Sequence, residues 1–250
     1  MITYQKLGSY GRLGNQMFQY AAMLGISEKT GHDFGYAPGR LLDCFDIRLG
    51  KPLTGPEPVK YLYAERSFDF NPDVFSCPDS VDFVGYYQSE KYWSHCRERV
   101  VEQFKFRNSI LSPAGEFTSL HIRRGDYVHL KDTHTCLADT DYYDRSINAL
   151  DPNKLIIFTD DRSWLNDSGM LSKWSRDRQV EVCSLESDFD ELDLMSRATN
   201  AIVANSSFSW WGAYLGPQQR GGRVIAPEKW FGPQGPGSWR DVYCKGWEII

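Results

Sequence analysis

The sequence predicts an α/β fold with mainly parallel sheets, and three observations carry that expectation. Apolar runs of four or five residues alternate with helical stretches through the second half of the chain, the pattern of βαβ units whose strands are covered on both faces. An opening strand over residues 2–7 runs into Gly8, Gly11 and Gly14 before helical spacing resumes over 16–26, which is strand, glycine loop, helix. A composition of 41% hydrophobic and 24% charged residues is that of a folded globular chain.

The elements follow in order. Residues 35–79 carry recurrent Gly and Pro and many aromatics without a sustained period, which predicts loops with short strands. A strand is expected over 81–87 and a helix over 90–104. Pro113-Ala-Gly then marks a boundary, with a hinge over 108–116. The chain is thereby expected to form two compact domains, 1–112 and 113–250. In the second, strands at 118–122, 155–159, 180–183 and 201–204 alternate with helices at 141–150, 162–174 and 191–197.

Charge and cysteine usage exclude several classes. The formal net charge of -5 comes without a long basic run, which argues against a nucleic-acid partner. The six cysteines lie far apart with no C-x-x-C pair and read as reduced thiols. The first residues are too short of apolar character for a signal peptide, and no window approaches a membrane span. A cytoplasmic location is expected, with at most peripheral contact with a membrane.

Open parallel sheets bind ligands beyond the carboxyl ends of their strands, so the residues following each strand matter most. After the first strand, Gly11, Arg12, Gly14, Asn15 and Gln16 offer backbone N–H groups near a helix N-terminus, without the spacing of a dinucleotide or Walker loop. After the strand ending at Ile122 come Arg123, Arg124, Gly125 and Asp126, preceded by His121. Adjacent guanidiniums repel unless an anion or carboxylates answer them, and Arg can fork onto phosphate oxygens while keeping its charge. Thr159-Asp160-Asp161 and Asn205-Ser206-Ser207-Phe208 end two further strands, each able to cap a helix or contact phosphate. Trp210 and Trp211 are expected to pack on the sheet.

Three stretches together resemble the inverting α-1,2-fucosyltransferases of bacterial or viral type: Gly11-Arg-Leu-Gly-Asn-Gln-Met-Phe-Gln-Tyr-Ala21, His121-Ile-Arg-Arg-Gly-Asp-Tyr-Val128 and Asn205-Ser-Ser-Phe-Ser-Trp-Trp-Gly212. The resemblance implies a GT-B-like pair of Rossmann-like domains, the first on the acceptor side and the second holding the donor. It implies GDP-fucose as donor, a galactoside hydroxyl as acceptor and inversion at the anomeric carbon. By the same resemblance Arg123 and Arg124 hold the diphosphate and stabilise departing GDP, His121 lies near the nucleoside, Ser206 and Ser207 add phosphate or ribose contacts, and the glycine loop covers the donor's other side. Glu191, with Asp190 as rival, is the candidate to accept guanine N1–H and N2 amino protons.

The fixed charge of two arginines suggests that no cofactor or metal is required. Asp139-Thr-Asp141 and Asp188-Phe-Asp190 match a manganese-binding tripeptide that is common by chance. Asp126, which alternatively orients Arg124, and His134 are the candidate general bases. Two rival readings stand beside this one, a transferase using another nucleotide sugar and a non-catalytic carbohydrate-binding protein. The oligomeric state is not legible.

Overall fold

Thirteen residues between Leu13 and Ile26 are buried, including Gly14, Gln16 and Gln19, because the first helix is packed nearly all round. In the computed structural model, which describes residues 1–107, 109 and 115–250, strand β1 (Ile2–Tyr4) leads into that helix, α1 (Leu13–Thr30). The helix starts three residues earlier than its apolar spacing predicts, so Gly14, Asn15 and Gln16 lie in its first turn and not in a loop. It stops where Gly31 takes the left-handed conformation, φ 71°, and returns its N–H to Ser27 O.

Strands β2 (Phe34–Tyr36), β3 (Lys51–Pro52), β4 (Tyr61–Ala64) and β5 (Val81–Val84), with the short helix α2 (Leu41–Cys44), complete the first half of the chain up to α3 (Arg97–Gln103). Its sheet has the order β3-β2-β1-β5-β4, every pair parallel. The helix expected over 90–104 is realised only from Arg97; before it lie two 3-10 turns, Glu90–Tyr92 and Ser94–Cys96. The tighter turns let the adjacent rings of Tyr92 and Trp93 both be buried, and Phe18 of α1 meets Trp93 at 5.7 Å between centroids. Gly25 makes this approach possible, since a Cβ there would sit 2.0 Å from Tyr92 O.

The second half repeats the plan. Strands β6 (Thr118–Ile122), β7 (Lys154–Thr159), β8 (Gln179–Val182), β9 (Asn200–Ile202), β10 (Val224–Ala226) and β11 (Glu248–Ile249) stand in the order β11-β10-β9-β6-β7-β8, all parallel. Counted along this half alone, that is the doubly wound 3-2-1-4-5-6 order, whose switch point falls between β6 and β9. The helices are α4 (Tyr142–Leu150), α5 (Arg162–Asp167), α6 (Met170–Trp174), α7 (Asp188–Ser196), α8 (Ser207–Leu215) and α9 (Pro217–Arg220). Leu155 and Ile157 of β7 enter one core cluster with Tyr142, Tyr143 and Ile147 of α4. Ile156 and Phe158 enter another with Met195 of α7 and Phe208 of α8. A strand buried on both faces must be apolar at every position, which is why β7 shows no alternation. The single helix expected over 162–174 is two, because Gly169 breaks it at φ 75°.

The chain divides into two units, residues 1–108 with 238–244 and residues 109–237 with 245–250. The boundary expected at 112/113 lies outside the described residues. One part of the expected second domain belongs to the first unit: residues 238–244 return there because the buried Asp241 carboxylate accepts the Phe70 N–H at 3.0 Å and Lys91 Nζ at 2.5 Å. No helix among the described residues is long and apolar enough to cross a membrane, and no disulfide links the described cysteines.

Replacing Gly25 by Ala is expected to destabilise the protein by about 1–3 kcal/mol through overpacking of α1 on Tyr92 and Trp93. Urea unfolding of the variant against the wild type checks this, and an unchanged midpoint counts against so close an approach.

Candidate active site

The turn after β6 is built around one carboxylate. Asp160, the residue after β7, accepts the backbone N–H of Arg124 at 2.9 Å and of Gly125 at 3.1 Å on Oδ1, and Arg123 Nη1 at 2.6 Å on Oδ2. Gly125 is needed for this closeness, because a Cβ would lie 2.7 Å from Asp160 Oδ2. Asp126 takes the other terminal nitrogen of Arg123 at 2.5 Å, and Asp161 takes Arg124 Nη1 at 2.5 Å. Asp161 also caps α5 by accepting the Trp164 N–H at 3.0 Å, a hydrogen bond that with Arg124 holds its carboxyl below the ordinary value.

Ring faces complete the cradle. The Arg124 guanidinium lies 4.7 Å from the Trp164 ring centre and that of Arg123 lies 5.3 Å from Tyr127. The two side chains keep 14% and 21% of their surface exposed, enough for a ligand to reach both. Three carboxylates thus answer the two cations, and Arg124 Nε is a buried donor with no partner. Asp126 engages Arg123, so the expectation that it orients Arg124 is corrected: Asp161 does that.

The turn after β9 is tied to this one. Tyr127 Oη donates to Asn205 O at 3.0 Å, so the loops at the switch point between β6 and β9 are in contact. The Asn205 side chain is buried, and its Nδ2 donates to Thr135 O at 2.8 Å and Trp230 O at 2.7 Å. Its Nδ2 braces two neighbouring loops, while its buried Oδ1 has no partner. Ser206 caps α8 by accepting the Phe208 N–H at 3.4 Å, and Ser207 is the first residue of that helix. His121 packs against Phe208 with 5.8 Å between rings, and its burial pulls the imidazole well below its ordinary pKa, leaving it neutral. His134 stacks on Tyr127 at 4.5 Å and is also lowered by burial. Trp210 and Trp211 are buried, as expected.

A cleft of about 500 Å³ opens beyond β7 and β8, lined by Thr159, Asp160, Arg162, Ser163, Leu185 and Glu191 among others. Helix α7 opens at Asp188 with Ser187 as its cap, so Glu191 ends the first turn and does not begin the helix. Glu191 lines the cleft, with Arg162 at 3.8 Å, and burial pushes its carboxyl up to about 7. Asp190 is not among the lining residues; its N–H is held by Ser187 Oγ at 3.4 Å.

Residues 60–250 match the model of glycosyl transferase family 11. The chain belongs to that family. This family 11 chain is 36% identical to an Escherichia coli alpha-1,2-colitosyltransferase, over 88% of its own length and 90% of the relative's. It is 29% identical to the E. coli O-antigen biosynthesis glycosyltransferase WbnK, over 88% and 93%. Identity to galactoside alpha-(1,2)-fucosyltransferase 2 of Rattus norvegicus is 21%, over 84% and 66%. Among solved structures, the fucosyltransferase NodZ from Bradyrhizobium superposes with a TM-score of 0.52 at 14% identity, covering 86% of this chain and 92% of that one. The fold of the family 11 enzyme is therefore GT-B-like, with two α/β units built on parallel sheets.

The glycine-loop residues singled out in the sequence belong to the first unit. Arg12 is the N-cap of α1, Gly11 adopts φ 79°, and a Cβ on Gly11 would lie 2.0 Å from Asn15 Nδ2. Asn15 Oδ1 accepts Gln88 Nε2 at 2.8 Å, and Gln16 keeps a buried Oε1 without a partner. Asp139 pairs with Lys131 at 2.5 Å and Asp141 with Arg145 at 3.0 Å. No group of three or more His, Cys, Asp or Glu among the described residues is arranged to hold a metal ion. Trp164, Tyr127 and Arg162 are the site residues that sequence reading missed, since their parts depend on which loops meet.

A carboxyl raised from 4.5 to about 7 on folding binds its proton more tightly in the native state. The stability this contributes is present below pH 4.5 and is lost as pH rises through 7. Glu191→Gln is therefore expected to gain on the order of 2 kcal/mol over the wild type at pH 8 relative to pH 4. Urea titrations at the two values measure it, and parallel curves would contradict the burial of this group.

Proposed function

We propose that the chain transfers fucose from GDP-fucose to a glycan hydroxyl, the 2-OH of a galactoside, with inversion and without a metal ion. The observation that carries this reading is the pair of guanidiniums at the switch point, beside a cleft holding a half-buried carboxylate. A pyrophosphate is the anion that both forks fit, and Glu191, once ionised, accepts the two adjacent donors of a guanine edge.

On binding, the diphosphate takes over from Asp126 on Arg123 and from Asp161 on Arg124. The cations then neutralise the charge that develops on departing GDP, the part a divalent ion plays elsewhere. Asp126, released from Arg123, is the candidate to take the acceptor's proton. His134, neutral at pH 7, is the alternative.

The 36% identity to a colitosyltransferase favours a second reading, in which the sugar is colitose, the 3-deoxy counterpart of fucose. Turnover with GDP-fucose and GDP-colitose in parallel, against a glycan panel with and without chelator, decides between the two donors. Chelator-insensitive turnover is expected, and its loss would overturn the metal-free mechanism.

Two further outcomes are expected. Arg124→Ala lowers kcat by about 10²–10³-fold or more with the fold intact, the scale of removing one preorganised charge donor; wild-type turnover by the folded variant removes the arginine from the mechanism. GDP binds more tightly than UDP or ADP in calorimetry and tightens as pH rises through 7, where Glu191 ionises. In Glu191→Gln both the preference over ADP and that rise are smaller, and an unchanged profile places guanine elsewhere.

A further inference from the structure

The carboxyl edge of the first unit's sheet carries a device that the donor chemistry does not use. Glu65, one residue past β4, reaches the turn that follows β5 and accepts the backbone N–H of Tyr86 at 2.6 Å and of Tyr87 at 2.9 Å. That turn is strained. Tyr87 holds φ 53°, an outlier for a bulky residue, and Gly85 holds φ 155°. Only glycine fits at 85, because a Cβ would lie 2.4 Å from the Cβ of Glu65 and 2.7 Å from its Oε2.

The result is a pair of consecutive rings facing opposite ways. Tyr87 is buried against Tyr4 and Phe83, while Tyr86 remains 39% exposed. A second exposed ring, Tyr10 at 37%, stands on the loop after β1. Strands β1 and β5 are parallel neighbours, so both loops leave the same edge side by side. Gln19 fastens them together, its Nε2 donating to Gly85 O at 3.1 Å and to Tyr10 O at 3.4 Å. β1 is also where this sheet's order reverses, the place at which open sheets take their ligands.

Strain, a carboxylate clamp and a bridging amide serve here to hold two solvent-facing aromatic rings on adjacent loops. We propose that Tyr10 and Tyr86 form the stacking platform for the terminal pyranose of the acceptor, with Glu65 as the positioning residue that holds Tyr86 outward. The inference rests on the reading that the chain glycosylates a galactoside. Such a sugar suits the platform, because the axial 4-OH of galactose leaves one ring face bearing the C–H groups of C3, C4 and C5.

The test uses the full chain with GDP and either lactose or N-acetyllactosamine. Saturation-transfer NMR is expected to mark H3, H4 and H5 of the terminal galactose on irradiation of the protein's aromatic protons. The effect should be lost in Tyr86→Ala and in Tyr10→Ala and kept in the two Phe variants. Acceptor KM should rise about tenfold in each Ala variant and stay within about twofold in each Phe variant, with calorimetric GDP affinity unchanged. Glu65→Gln should raise acceptor KM less than Tyr86→Ala does and leave kcat nearly unchanged.

Wild-type acceptor KM in folded Tyr86→Ala and Tyr10→Ala overturns the platform, as does a fall in GDP affinity with acceptor KM unchanged. A wild type that saturates neither disaccharide overturns it as well. If the wild type binds GDP and marks galactose yet transfers neither fucose nor colitose, the donor reading fails and the platform stands.

Discussion

One carboxylate sets the geometry on which the rest of the second unit's chemistry depends. Asp160 holds the turn after β6 by two backbone N–H groups and, with its other oxygen, the side chain of Arg123. Without it, the backbone of that turn loses the acceptor for two of its N–H groups. Charge-assisted hydrogen bonds of this kind are short and directional, so the cations are oriented before any ligand arrives. Asp126 and Asp161 then hold the guanidinium forks. Two bare adjacent cations would be costly, and their pairing with carboxylates removes that cost.

Much of the second unit was legible in the sequence for a physical reason. Strands such as β7 are buried on both faces, and burial forces an unbroken apolar run that stands out against helical spacing. The ends of those strands can then be read residue by residue, which singles out Arg123, Arg124, Asp160 and Ser206, whereas Glu191 comes from the family resemblance. The first unit was read less well. Its strands β3 and β4 sit at the two sheet edges, and their largely exposed side chains, Lys51, Tyr61 and Leu62 among them, follow no burial pattern.

What the sequence left open was the pairing of groups that only tertiary structure brings together. Whether Asp126 or Asp161 holds Arg124 depends on where β7 ends relative to β6, a matter of sheet register. The same holds for Asn205, whose position after β9 suggested a ligand contact. Its Nδ2 finds two carbonyls from loops roughly 25 and 70 residues away in sequence, and a buried amide takes the partners it can reach. Local pattern located the groups; long-range contacts assigned their work.

The return of residues 238–244 to the first unit bears on how the protein can be taken apart. The strand that follows, β11, belongs to the second sheet, so the tail stitches both units in turn. Scission between residues 108 and 109 therefore does not yield two complete fragments. The amino-terminal piece would lack Asp241, leaving the Phe70 N–H and Lys91 without their carboxylate. The carboxyl-terminal piece would carry a seven-residue excursion stripped of its packing surface. Each unit is discontinuous in sequence, and a single cut there leaves one segment of the first unit on the other fragment.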